Sequence, residues 1–145
     1  MKKLTIAFAW LMTGVLAQAQ PADAPSALEL HAAQCVAALQ VDTERLATEV
    51  KAGKADLRPL LQSRLEAGAA FVGDVYLHGT RDEARARGLA NDALEAQKSL
   101  SPDELAARQL KCANEGTKLL DDSNGLERAV VKQVAKRRMA KLLAG

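Results

Sequence analysis

Cys35 and Cys112 are the only cysteines in the chain, and His31 stands four residues before the first of them. On a helix, residues at i and i+4 share a face and come within reach of each other. A neighbouring imidazole can lower a thiol pKa and create a reactive thiolate. His31 and Cys35 could therefore serve a thiol-redox or other enzyme, with Cys112 as a resolving partner. The competing reading is a structural disulfide between Cys35 and Cys112 beside a partly exposed histidine. The rest of the chain favours that second reading.

Other reactive constellations are thin. A structural zinc site wants four closely grouped Cys, His or carboxylate ligands. Beyond the cysteines the soft ligands include His31, His78, Met12 and Met139, and no C-x-x-C, C-x-x-C-H or H-E-x-x-H motif occurs. His31 and Met139 fall on the first and last helical segments, where haem ligands could stand. Phe71 and Tyr76, however, are too few aromatics to pack a porphyrin. No metal and no cofactor is expected. The carboxylate pairs Asp82/Glu83 and Asp103/Glu104 sit where the first turn of a helix favours acids, and Asp121/Asp122 reads as a solvated loop. No G-x-S-x-G, P-loop or dinucleotide fingerprint is present, so no catalytic residue is assigned. His78, just before Gly79, suits a helix C-terminus, where it can bond the last carbonyls.

The clearest asymmetry is electrostatic. Arg128, Lys132, Lys136, Arg137, Arg138 and Lys141 share the last twenty residues with one acid, Glu127. Residues 20–125 carry 12 basic and 17 acidic side chains. Val130, Val131, Val134, Met139, Leu142 and Leu143 supply an apolar side to this basic stretch. Such a helix can bind an anionic membrane surface or an acidic partner protein. The plainer alternative is a terminal helix packed by its apolar side with a solvated basic face. Nucleic acid is disfavoured by the small net charge and by the lack of stacking aromatics.

These features need elements to hold them. Lys2 and Lys3, the apolar run Leu4–Val15 and the small residues Ala17 and Ala19 form a signal peptide over residues 1–19, with cleavage expected after Ala19. Export to the periplasm or outside the cell follows, and with it an oxidising compartment in which two cysteines pair. The run is too short for a confident transmembrane span. Residues 20–25 form a flexible leader, and residues 26–145 form one domain. About 126 residues suffice for a single core but not comfortably for two. A disulfide closing a loop of roughly 78 residues would contribute about 4–5 kcal/mol on the chain-entropy account.

Helix starts are marked by a capping side chain followed three residues later by glutamate: Ser26–Glu29, Thr80–Glu83, Ser101–Glu104 and Asn124–Glu127. Such pairs satisfy orphan N–H groups reciprocally. Asp56 is expected to cap a further helix with Pro59 in its first turn, and Gly53 and Gly79 are expected to supply left-handed termini. Five helices follow, near 27–52, 57–78, 81–98, 102–121 and 125–143. Their short connections suggest that consecutive helices pack antiparallel.

The predicted core stripes are Leu28, Ala32, Cys35, Leu39, Leu46 and Val50 on the first helix. The second offers Leu57, Leu61, Leu65, Gly68, Val72 and Val75, and the fourth Leu105, Cys112, Gly116 and Leu119. The third helix is the least apolar and could leave a groove uncovered. The expected fold is all-α: a small bundle of four to five antiparallel helices with one inter-helix disulfide. The expected function is a non-enzymatic binding module using its basic last helix. Two alternatives stand beside it: a thiol enzyme at His31 and Cys35, and a structural or chaperone-like bundle with an apolar groove.

Overall fold

The computed structural model describes residues 24–145, so the expected signal peptide and most of the leader lie outside the described residues. Among the described residues five α-helices follow one another: α1 (Ala27–Lys51), α2 (Arg58–His78), α3 (Glu83–Gln97), α4 (Pro102–Asp122) and α5 (Gly125–Ala144). A 3-10 turn, Ala55–Leu57, leads into α2. Among the described residues there is no strand. The fold is the all-helical bundle expected from the periodicity.

Three of the four capping boxes form as expected. Ser26 Oγ accepts from the Glu29 N–H while Glu29 Oε2 accepts from the Ser26 N–H at 2.7 Å. Ser101–Glu104 and Asn124–Glu127 repeat the arrangement on α4 and α5. The fourth does not form. Asp82 caps α3 by accepting from the Arg85 N–H, and Thr80 Oγ1 accepts instead from the Asp82 N–H at 3.0 Å. A carboxylate is a stronger acceptor than a hydroxyl, so the helix starts two residues later than predicted.

Asp56 does not cap α2 either. It lies within the 3-10 turn, and Leu57, already in helical geometry, precedes α2 with no side-chain cap. The turn runs straight into the helix, which leaves no extended residue to carry a cap. Gly53 takes the expected positive φ of 105°. Gly79 does not: its φ is −119°, and its N–H simply bonds the Val75 carbonyl.

α1 and α2 form a spine that is covered in two halves. In one half Cys35, Ala38 and Leu39 of α1 and Ala67, Phe71 and Val75 of α2 meet Cys112 and Ala113 of α4. In the other half Leu46, Ala47 and Val50 of α1 and Leu61 and Leu65 of α2 meet Ala135 of α5. Alanine and glycine at the crossings let the helix axes approach closely. At Gly116 a Cβ would lie 2.6 Å from the Ala67 carbonyl oxygen, so α4 crosses α2 at a point where only glycine fits.

Helix α3 departs from simple antiparallel neighbours. It packs on α1 rather than on α2 or α4, the helices that flank it in the chain. Polar anchors hold both its ends: Arg85 Nη2 lies 3.3 Å from Glu29 Oε2, and Gln97 Nε2 donates to the Gln34 carbonyl at 2.9 Å. Its apolar content is too low to compete for the α2 surface. The α2 stripe is correspondingly incomplete, because Val72 is 58% exposed instead of buried.

Candidate functional site

The disulfide expected from compartment and periodicity is present between Cys35 and Cys112, with a Cα–Cα distance of 5.1 Å. Both cysteines are almost fully buried. Among the described residues no cysteine is free, so His31 has no thiolate to activate in this state. His31 Nε2 lies 3.9 Å from Cys35 Sγ and 2.7 Å from Oε2 of Glu115 on α4. The imidazole edge also meets Phe71, with ring centroids 6.0 Å apart. Glu115 was not singled out from the sequence. Its spacing of three from Cys112 was the only available signal.

His78 does not close its own helix. Its Nδ1 lies 2.8 Å from Oδ1 of Asp74, one turn back. The carboxylate outcompetes the terminal carbonyls as an acceptor. Tyr76, also near this helix end, carries the Arg81 guanidinium over its ring at 5.5 Å.

The six basic residues of α5 divide into two groups. Arg128 is committed to the fold: its Nε donates to the Leu120 carbonyl at 3.2 Å, and its Nη2 to those of Asp121 (2.8 Å) and Ser123 (3.1 Å). It thus satisfies the orphan carbonyls that end α4. Lys132, Lys136, Arg137, Arg138 and Lys141 are all exposed. No carboxylate among the described residues forms an ion pair with any of these five.

The apolar side of α5 is split as well. Val131, Met139, Leu142 and Leu143 turn toward the bundle, but Val130 and Val134 remain 55% and 50% exposed. The fully buried residue is Ala135, because close approach to the α1–α2 spine requires a small side chain. The valines are therefore rotated toward the exposed ridge of α2.

Three open grooves meet on that ridge. The first, of about 380 Å³, lies between α1, α2 and α3, with Val36, Phe71, Val72 and Tyr76 on its walls. The second, of about 360 Å³, runs between the ends of α2 and α4 and the start of α5, and includes Tyr76, Leu77 and Val130. The third, of about 270 Å³, is framed by Val36, Val72, Val134 and Arg138. Val72 separates the first from the third, and Tyr76 separates the first from the second. The groove beside the weakly apolar third helix is lined by α1, α2 and α3 with the loop between α2 and α3, whereas α5 lines the second and third grooves.

The charges around this face are unequally committed. Glu29 is held by Ser26 and Arg85, Glu83 pairs with Arg87, Asp74 with His78, and Asp122 with Lys118. Glu127 closes the α5 cap. Arg138 has no ion-pair partner among the described residues. No helix among the described residues is long and apolar enough to cross a membrane. No protein-family model, curated protein or solved structure matches the chain.

Proposed function

We propose that this chain is an exported, non-enzymatic interaction module that engages an anionic partner through α5 and the adjoining ridge of α2. The observation that carries the reading is the set of five exposed cations, Lys132, Lys136, Arg137, Arg138 and Lys141, none with an ion-pair partner among the described residues. Leaving such charges unpaired keeps a local positive potential that steers an acidic partner. The partner class that fits is a protein presenting an acidic amphipathic helix. The ridge Val72–Tyr76, with a trough on either side and Val130 and Val134 beside it, offers the relief into which helical side chains interdigitate. A flat lipid surface would leave those troughs unfilled.

Pull-down from periplasmic extract, compared between wild type and an Arg137→Glu/Arg138→Glu variant, tests the reading. The expected outcome is an acidic partner retained by wild type, weakened by salt and lost from the variant, with both chains melting at the same temperature. Equal capture by both chains would sink the proposal. Charge-dependent binding to anionic vesicles with no protein partner would move it to a lipid surface.

A further inference from the structure

The seam between α1 and α4 carries two ligand pairs at helical spacing. His31 and Cys35 stand at i and i+4 on α1, and Cys112 and Glu115 stand at i and i+3 on α4. Each pair therefore shares a face, and the disulfide shows that the two faces meet. His31 Nε2, Cys35 Sγ and a Glu115 carboxylate oxygen all lie within 4.8 Å of one another. Metal–sulfur and metal–nitrogen distances of about 2.3 and 2.0–2.1 Å place tetrahedral ligand atoms roughly 3.4–3.8 Å apart. The His31–Cys35 separation of 3.9 Å is already close to that spacing. The His31–Glu115 separation of 2.7 Å would have to open slightly to admit an ion in place of the shared hydrogen.

We propose that the Cys35–Cys112 disulfide masks a zinc site that reduction exposes. In the oxidised state neither sulfur carries the thiolate charge that a metal needs. A dithiol reductant delivers two electrons and two protons, breaks the S–S bond and leaves as its own disulfide. The two resulting thiols lose their protons to solvent as Zn²⁺ binds. His31 Nε2, the Cys35 thiolate and the Glu115 carboxylate then supply three ligands, and the Cys112 thiolate supplies the fourth.

The surroundings suit this role. The sulfurs lie in the apolar interior, whereas His31 and Glu115 have side chains 46% and 37% exposed and form a mouth through which an ion can enter. Phe71 fixes the imidazole by its edge contact, an outer-shell constraint on ligand orientation. Two thiolates and one carboxylate leave a single excess negative charge on the loaded site, and Lys111 Nζ stands 3.9 Å from Glu115. The seam would be covalently stapled when oxidised and metal-stapled when reduced. This inference is independent of the α5 reading.

The test refolds the full chain with a phosphine reductant and titrates Co²⁺, followed by competition with Zn²⁺. The expected result is one equivalent bound, with tetrahedral d–d absorption and a sulfur-to-cobalt charge-transfer band. The oxidised chain should show neither. His31→Ala and Glu115→Gln should each weaken binding at least tenfold while keeping the sulfur band. Circular dichroism runs alongside. If the reduced chain unfolds without metal, recovery of helix on adding Zn²⁺ supports the site. Absence of the tetrahedral signal, wild-type affinity in either variant, or equal binding by the oxidised chain would overturn it.

Discussion

Glu29 serves two helices at once: it closes the capping box of α1 on Ser26 and receives Arg85 of α3 at 3.3 Å. The Ser26 backbone N–H, above all, holds its carboxyl below the usual carboxylate value, with Arg85 acting in the same direction. A carboxyl whose folded pKa is depressed contributes stability above its unfolded value of about 4.3, and that contribution is lost as pH falls through the folded value. Glu29→Gln keeps the box but removes the titration. Denaturant unfolding between about pH 5 and pH 2 should show a shallower acid limb for this variant than for wild type. Identical limbs would mean that Glu29 contributes no acid sensitivity.

Gly116→Ala tests the helix crossing. A methyl group here would meet the Ala67 carbonyl oxygen at 2.6 Å and the Ala67 Cβ at 2.8 Å. Backbone cannot swing aside as a side chain can. The helices must separate, at a cost of about 1–3 kcal/mol, and the better helix propensity of alanine does not recover it. Thermal denaturation should show a clear fall in melting temperature. An unchanged midpoint would refute the close crossing.

Arg128→Ala should behave unlike its basic neighbours. It removes the donor that satisfies carbonyls at the end of α4, so the cost should be on the order of 1 kcal/mol. Lys136→Ala, on a solvated face, should stay within about 0.5 kcal/mol of wild type. Equal effects in paired chemical denaturation would remove the distinction drawn between the two groups of cations.

Phe71→Ala empties the centre of the disulfide-linked half-core and removes the ring against which His31 is set. Loss of a buried phenylalanine costs about 3–5 kcal/mol. A loss below 1 kcal/mol in urea unfolding would show that this half of the core is not tightly packed.

The legible parts of this fold are local ones. Helix starts at Ser26, Ser101 and Asn124 are written in three-residue relationships, and the disulfide in the helical phase of the two cysteines. Thr80 and Asp56 misled because the deciding groups were a neighbouring carboxylate, Asp82, and a turn that runs straight into its helix. The partner of α3 depends on Arg85 reaching Glu29 and Gln97 reaching Gln34, pairs separated by 56 and 63 residues. No periodicity reports such distances. The same holds for Glu115, 84 residues from His31. On α5 the valines gave the stronger apolar signal, yet Ala135 sets the rotation of the helix because only a small residue lets it approach the spine.

The division of the core has a consequence for how the molecule breathes. The covalent link ties α4 to α1, whereas α5 contributes one fully buried residue, Ala135, and carries no bridge of its own. Amide hydrogen exchange should therefore separate into two classes, with α5 opening as a unit while the α1–α4 seam stays protected. Reducing agents should accelerate exchange in the seam and leave the α5 rate nearly untouched. A protein that grips α5 would then engage an element that can rearrange while the covalent α1–α4 seam stays closed.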